Sequence, residues 1–185
     1  MIYNWKKIVL KSIPLLTLTA VIEIIAGQVL QGNIDTLLVL PIFLISVPVV
    51  NSVGGNIGSI LGARLASGLH MGTITYSFKD KTMHQNFTTS LIIGIITFTI
   101  LAILIYYIGY FGNIPMGIRL PAYMMIIIST GTVLVIMISF ISIATAFISH
   151  KRGLDPDDMV APVVTTIGDT LGIVLLFVMI GAVGL

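Results

Sequence analysis

Long apolar runs alternate with short polar breaks along this chain. The runs are about Ile8–Leu30, Leu37–Gly68, Phe87–Phe111, Leu120–Ser149 and Met159–Leu185. Each is long enough for an α-helix that crosses a bilayer, which needs roughly 20 apolar residues. Membrane β-strands are only about 9–11 residues long and alternate in polarity, whereas these runs are longer and do not alternate. The pattern predicts an all-α integral membrane protein, with five spanning helices in a single domain over residues 1–185.

The composition supports a lipid environment and excludes several classes of protein. Apolar residues make up 57% of the chain and charged residues only 9%, against about 25% charged in soluble domains. This excludes a disordered tail, a soluble enzyme and a nucleic-acid-binding module. The formal net charge is +2, without a basic run that could follow phosphates. The chain has no cysteine, which excludes disulfides, thiolate zinc sites and cysteine nucleophiles.

The basic residues predict how the helices are oriented. If the N-terminus is cytoplasmic, Arg119 is the only one of the nine Lys and Arg residues on the outside. The others are Lys6, Lys7, Lys11, Arg64, Lys79, Lys81, Lys151 and Arg152. This is the asymmetry of the positive-inside rule. We expect a multi-pass protein of the cell membrane with a cytoplasmic N-terminus and, after five spans, an extracytoplasmic C-terminus.

The second predicted helix contains residues that favour a break. Pro41 and Pro48 each lack a backbone donor, which kinks a helix, and Gly54-Gly55 adds backbone freedom. Freed backbone groups in a membrane need a protein partner or a water-filled cavity, and broken helices near the bilayer midplane often coordinate ions. The sequence therefore predicts a broken helix 2.

Two stripes of small residues also mark this helix. One consists of Gly54, Gly58, Gly62 and Ala66, and the other of Gly55, Ser59, Ala63 and Ser67. Small residues every four positions let two helices approach closely, so a tightly packed helix pair without a ligand explains them as well as a pore does. Asn51 and Asn56 stand among apolar residues and favour a pore lining.

Two acids, Glu23 and Asp169, lie within predicted spans. A central Asp costs about 2.5–3.5 kcal/mol to insert, so it normally has a function or a partner. No Lys or Arg stands at a matching depth; a protonated, hydrogen-bonded structural Asp is the alternative. At 1.5 Å per residue, Asp169 lies about 15 Å and Asn56 about 18 Å above the inner edge of the membrane, so they share one level.

These groups favour a hard cation as the ligand. His70, His84 and His150 are scattered, which leaves oxygen atoms as ligands, and Mg²⁺ prefers carboxylates and other oxygens. One deep Asp per chain is few for a divalent ion. A two-fold homodimer would bring two copies of Asp169 to a shared axis.

Two segments resemble a known family. Pro48–Gly68, with Gly-Gly-Asn-Ile-Gly-Ser followed by Ala-Arg-Leu-Ala-Ser, is similar to helix 2 of the MgtE-type magnesium transporters and their eukaryotic solute-carrier relatives. Leu154-Asp155-Pro156 together with Ala161–Gly172 is similar to the family's helix 5. Asp155 also suits the N-cap of that helix. Helix count and cytoplasmic N-terminus match the family as well.

The resemblance implies a homodimer in the lipid bilayer, with a central pore lined by helices 2 and 5. By this resemblance, Asp169 would be the carboxylate of the pore and Asn56 the amide ligand of the Gly-Gly-Asn motif. Backbone oxygens would complete the site. The implied metal-site residues are Asp169, Asn56, Ser52, Gly55, Thr165 and Asp35, the last near the outer mouth. The transported ion is expected to be Mg²⁺, with Mn²⁺, Co²⁺ and Ca²⁺ as alternatives. Glu23 has no assigned role.

Several readings stay open at this point. Ile60 stands in the region where bacterial members often carry Gln, and too few residues precede the first helix for the family's cytosolic magnesium-sensing domains. One alternative is an H⁺- or Na⁺-coupled carrier of another substrate that uses Glu23. Another is a non-transporting scaffold that binds partner helices through the glycine stripes. An enzyme is not expected, because no Ser/His pair or HExxH helix is present.

Overall fold

A computed structural model describes residues 5–77 and 80–184. Lys79 and Leu185, both used in the sequence predictions, lie outside the described residues, and so do the side chains of Lys6, Lys7 and Lys11.

The described chain forms five long helices and one short one. They are α1 (Trp5–Gly32), α2 (Ile34–Val39), α3 (Ile42–His70), α4 (Lys81–Phe111), α5 (Leu120–Lys151) and α6 (Pro156–Ala182). All except α2 are long and apolar enough to cross a membrane. The predicted all-α fold is confirmed, with five helices in the described residues that are long and apolar enough to span a membrane.

The second predicted helix is interrupted earlier than its glycines suggested. The break lies at Leu40 and Pro41, between α2 and α3. α3 continues as a helix past Pro48 and through Gly54-Gly55, so the expected opening at the glycine pair is not found. Those glycines are buried, and close contact with neighbouring helices holds their backbone in the helical conformation.

Two helices begin earlier than the apolar runs indicated, because side chains cap them. The carboxylate of Asp80 accepts hydrogen bonds from the backbone N–H groups of Thr82 and Met83, so α4 begins at Lys81 instead of Phe87. Asp155 accepts from the backbone N–H of Asp157, so α6 begins at Pro156, three residues before its apolar run, and the predicted N-cap at Asp155 is confirmed. Capping satisfies donors that the first turn of a helix leaves unpaired.

The centre of the bundle consists of α3, α5 and α6. α3 packs along α6 and α5, α4 packs on α5, and α1 lies at the periphery against α6. Most of α1 is exposed, and its apolar side chains suit contact with lipid. One face of α1 nevertheless packs on α6 and borders a groove between α6 and α3.

Glycines set the close approach of α3 to its neighbours. A Cβ on Gly54 would overlap Leu134 of α5, and a Cβ on Gly58 would overlap Ile138 and Val164. Gly168 of α6 lies against the backbone of Gly55. The stripe that contains Gly54 and Gly58 is therefore buried helix packing, whereas most of the other stripe is partly or fully exposed.

Candidate functional site

A cavity of about 540 Å³ opens between α1, α3 and α6. Its lining combines apolar side chains with oxygen-bearing ones. The lining residues are Glu23, Ala26, Gly27, Leu30, Val47, Pro48, Asn51, Ser52, Gly55, Asn56, Thr165, Asp169 and Ile173. Three different helices therefore contribute to one polar pocket within the spanning segments.

The antiparallel register of α3 and α6 brings the two sequence motifs together. Gly55 of the Gly-Gly-Asn motif lies against Thr165, where an added Cβ would be 3.3 Å from the Thr165 Cα. One turn before Gly55 on α3, Asn51 lies beside Gly172 of α6. Residues more than 100 positions apart in sequence thus lie side by side at the same level of the bundle.

Thr165 and Asn56, two polar residues of the cavity lining, each have a side-chain oxygen that can accept a hydrogen bond from a ligand or water. The Thr165 hydroxyl donates to the carbonyl of Ala161 at 2.8 Å, so its oxygen can still accept from a ligand or water. The Asn56 amide donates to the Ser52 hydroxyl at 3.5 Å, which leaves the Asn56 carbonyl oxygen free of that contact. Ser52 and Asn56 are exposed on the isolated chain.

Asp169 is half-buried on α6 and faces an acid of another helix. The carboxyl group of Glu23 on α1 lies within hydrogen-bonding reach of the Asp169 carboxyl group. From the sequence, Glu23 was an acid inside a span whose only suggested role was in the alternative of an H⁺- or Na⁺-coupled carrier. An intramembrane acid is itself a functional signal; only the packing of α1 on α6 shows which partner it has.

Asn51 was noted in the sequence but was not among the predicted metal-site residues. Its side chain is 9% exposed, and its Oδ1 atom has no hydrogen-bond partner among the described residues. Gly172 lies directly beside this oxygen, and a Cβ there would overlap it. A buried acceptor without a partner is unusual and calls for an explanation such as an ion or water.

The structure brings five of the six predicted metal-site residues to this cavity and leaves one outside it. Asp169, Asn56, Ser52, Gly55 and Thr165 are in the lining. Asp35 lies exposed in the first turn of α2 and is not part of the lining. Its role near an outer mouth stays a prediction.

The chemistry of the lining suits a hard cation. Its only ionisable side chains are the carboxyl groups of Glu23 and Asp169, and no Lys, Arg or His is among the described lining residues. Carboxylate, carboxamide and hydroxyl oxygens suit Mg²⁺, Ca²⁺ and Mn²⁺, whereas thiolates and imidazoles suit softer metals. The described lining therefore offers oxygen atoms, the ligands that hard cations prefer.

A second group of metal-binding side chains lies elsewhere, where α3 ends and α6 begins. One ligand atom from each of His70, Asp155 and Asp157 falls within 4.8 Å of the others, and all three residues are exposed. Asp155 already contacts the His70 ring at 3.6 Å and caps α6. Helix capping accounts for this arrangement without a metal ion.

Comparison with known proteins identifies the family. The family described as MgtE, divalent cation transporter, matches residues 47–179. The match covers nearly all of α3 and α6, including the cavity residues from Val47 to Ile173, but not Glu23 on α1. No curated protein and no solved structure gives a significant match. Because the family match covers more than half of the chain, the protein belongs to the MgtE family of divalent cation transporters.

Proposed function

We propose that this protein transports Mg²⁺ across the membrane through the cavity beside α3 and α6. The observation that carries the proposal is the meeting of Asp169, Asn56 and Thr165 in one pocket. Among the described residues that line this pocket, the ionisable side chains are all carboxylic acids. An acid in the middle of a span is costly unless it acts on an ion or has a partner. Family membership supplies divalent cation transport. Within that class, a cavity wide enough for an ion that keeps most of its water favours Mg²⁺.

A two-fold homodimer completes the pore in this proposal. The cavity is open on one side of the chain, and Ser52 and Asn56 are exposed there at membrane depth. Polar groups of this kind do not face acyl chains in stable membrane proteins. A second copy related by a two-fold axis would cover them and bring two Asp169 side chains towards one path.

The size of the cavity suits an ion that keeps most of its water. Mg²⁺ releases water reluctantly and is usually bound by one or two carboxylates with waters in the remaining positions. Six waters occupy roughly 180 Å³ at about 30 Å³ each, well within the 540 Å³ of the cavity. Asp169 would hold the charge, while the oxygens of Asn56 and Thr165 accept hydrogen bonds from bound water. A shift of α3 against α6 would then let the ion pass.

The proposed orientation places the N-terminus in the cytoplasm. The described basic residues Arg64, Lys81, Lys151 and Arg152 lie towards one end of the bundle, where α3 ends and α4 begins, and Arg119 lies at the opposite end. Positively charged residues collect on the cytoplasmic side.

Replacement of Asp169 tests the transport site. We expect Asp169→Ala to abolish Mg²⁺ flux into liposomes, measured with an internal Mg²⁺-sensitive dye, while the purified protein stays dimeric by size-exclusion chromatography. Asp158→Asn is the matched control, because it neutralises an exposed acid of the same helix outside the cavity. Unchanged flux in Asp169→Ala would refute the site.

Replacement of Asn56 tests selectivity. Asn56→Ala removes a carboxamide at the cavity without disturbing the buried face of α3. We expect the ratio of Mg²⁺ flux to Ca²⁺ flux to fall while the protein stays folded. An unchanged ratio would remove Asn56 from the ion path.

The same liposome assay separates the alternatives. A coupled carrier of another substrate predicts transport that follows an H⁺ or Na⁺ gradient, and a scaffold predicts no flux from the purified protein. The burial of Gly54 and Gly58 against α5 and α6 within one chain already reduces the surface that a scaffold would offer to partner helices.

A further inference from the structure

A second cavity, of about 230 Å³, lies between α4 and α5 and shares no lining residue with the polar cavity described above. It is lined by Met83, His84, Phe87, Phe140 and Ile143. Met83 and Ile143 are buried, the ring centroids of Phe87 and Phe140 are 5.3 Å apart, and His84 and Phe140 are exposed. The cavity is therefore an apolar crevice that reaches the outer surface of the bundle, with His84 as the polar side chain of its described lining.

Exposed aromatic residues at the other end of α4 indicate the depth of this crevice in the bilayer. Tyr107, Tyr110 and Phe111 are exposed, and such rings collect at the interface between membrane and water. Phe87 precedes Tyr107 by 20 residues, which is about 30 Å along a helix and matches the thickness of the hydrocarbon layer. Phe87 therefore lies at the opposite boundary of that layer. His84, about 4.5 Å further along the helix, lies among the lipid headgroups.

The polar groups at the mouth of the crevice suit a phosphate. Lys81 lies about one turn before His84 on the same side of α4, because residues three apart are neighbours on a helix. Both side chains are exposed, and the Lys81 ammonium and a ring N–H of His84 can each donate a hydrogen bond. The adjacent acid, Asp80, directs its carboxylate at backbone N–H groups of the helix start and the preceding loop. No acid is among the described lining residues.

We propose that the crevice between α4 and α5 binds an anionic phospholipid. The phosphate accepts hydrogen bonds from Lys81 and His84, and part of one acyl chain lies against Phe87 and Phe140. An apolar cavity of about 150 Å³ already holds a benzene molecule, so 230 Å³ accommodates a segment of an acyl chain. Basic pockets between membrane helices on the cytoplasmic side bind anionic headgroups, and the proposed orientation places this end of α4 on that side.

Removal of the two donors tests the headgroup contact. Native mass spectrometry counts the lipids that stay bound to protein released from nanodiscs with equal amounts of phosphatidylglycerol and phosphatidylcholine. We expect the wild type to retain more phosphatidylglycerol than phosphatidylcholine. The double variant Lys81→Gln with His84→Gln should lower this preference at least about fivefold, the effect of one Lys beside an anionic lipid. An equal retention of both lipids by the wild type, or an unchanged preference in the double variant, would overturn the proposal.

A basic residue at the same end of the bundle is the matched control. The Lys151 ammonium lies 5.0 Å from the centre of the Tyr76 ring, and Lys151 is not among the lining residues. We expect Lys151→Gln to keep the preference of the wild type. A loss as large as that of the double variant would show general attraction of anionic lipid to this end of the protein, and would overturn the crevice as the site.

Removal of an aromatic ring tests the acyl-chain contact. Phe140 and Ile148 are both 52% exposed on α5, but Phe140 alone of the two lines the crevice. We expect Phe140→Ala to lower the number of retained phospholipids and Ile148→Ala to leave it unchanged. Equal retention in the two variants would overturn the proposal. A second copy of the chain is the other possible occupant. It predicts no retained lipid and a shift of Phe140→Ala from dimer to monomer in size-exclusion chromatography, which would also overturn the proposal.

The lipid count does not depend on ion transport. None of the residues replaced in these variants lines the polar cavity. The count therefore decides between a bound lipid and an empty crevice whether or not Asp169 proves to be the transport carboxylate.

Discussion

The hydroxyl of Ser142 on α5 donates a 2.9 Å hydrogen bond to the backbone carbonyl of Gly58 on α3. Both residues are buried, and the neighbouring Gly62 leaves room for the hydroxyl, since a Cβ there would be 2.9 Å from it. The bond joins the buried face of α3 to α5. It helps to fix the rotation of α3 that turns Ser52 and Asn56 towards the cavity.

Removal of this bond should destabilise the bundle modestly. Hydrogen bonds between membrane helices contribute about 0.6 kcal/mol on average and up to about 1.7 kcal/mol, so we expect Ser142→Ala to lower the free energy of unfolding by an amount in that range. Ser129→Ala is the control, because the Ser129 hydroxyl bonds within its own helix. Denaturant titration in mixed micelles measures both. Equal stability of the two variants would contradict the prediction.

A methyl group at Gly62 should be costly. Its Cβ would overlap Val160 of α6 and come close to the Ser142 hydroxyl, and overpacking of a close-packed core costs about 1–3 kcal/mol. We therefore expect Gly62→Ala to lower the thermal unfolding temperature. At Gly181, where a Cβ meets nothing within 4 Å, the same change should be neutral or stabilising, by up to about 1 kcal/mol. Similar shifts for both variants would show that helix contact is not the cause.

A methyl group at Gly172 should disturb ion binding in addition to packing. The added Cβ would overlap the buried Oδ1 atom of Asn51, so the carboxamide has to rotate. Because Asn51 lines the cavity, this rotation changes the polar surface that an ion meets there. We expect Gly172→Ala to lower the apparent Mg²⁺ affinity of transport while the dimer persists. The liposome dye assay over a range of Mg²⁺ concentrations measures this. An unchanged concentration dependence would show that the side chain of Asn51 does not affect ion binding in the cavity.

The cap of α4 should make stability depend on pH in the acid range. Asp80 accepts hydrogen bonds from the backbone N–H of Thr75, the backbone N–H of Met83, the Thr75 hydroxyl and the backbone N–H of Thr82. These bonds lower the pKa of Asp80 in the folded protein below its usual value, the Thr75 backbone bond most of all. The stabilisation is therefore fully present above the unfolded pKa of about 3.9. It is lost as the pH falls through the lower folded pKa.

Comparison with Asp80→Ala isolates this contribution. We expect the wild type to unfold at a higher temperature than Asp80→Ala at pH 5 to 7, and the difference to shrink below about pH 4 as the carboxylate is protonated. Thermal scans in micelles across this range give the result. A difference as large at pH 3 as at pH 7 would show that the ionised cap does not contribute.

The apolar runs alone determined the number of spanning helices and most of their bounds. A bilayer demands about 20 apolar residues per span, so the length of each run is a direct physical constraint. The fixed rise per residue likewise placed Asn56 and Asp169 at one level, and the structure brings both to the same cavity. The sequence also predicted the cap of α6 at Asp155. It did not predict the cap at Asp80, which moved the start of α4, because a polar first turn can be helical when its N–H groups are satisfied.

The tertiary structure decided which residues face the cavity and which partners they have. In a membrane protein both the lipid-facing and the protein-facing side chains are apolar, so periodicity does not fix the rotation of a helix about its axis. Packing of α1 on α6 brought Glu23 to Asp169, and packing of α3 on α6 buried the oxygen of Asn51 beside Gly172. The continuous helix at Gly54-Gly55 has the same origin, since contact with neighbouring helices, and not the intrinsic freedom of glycine, sets the backbone there.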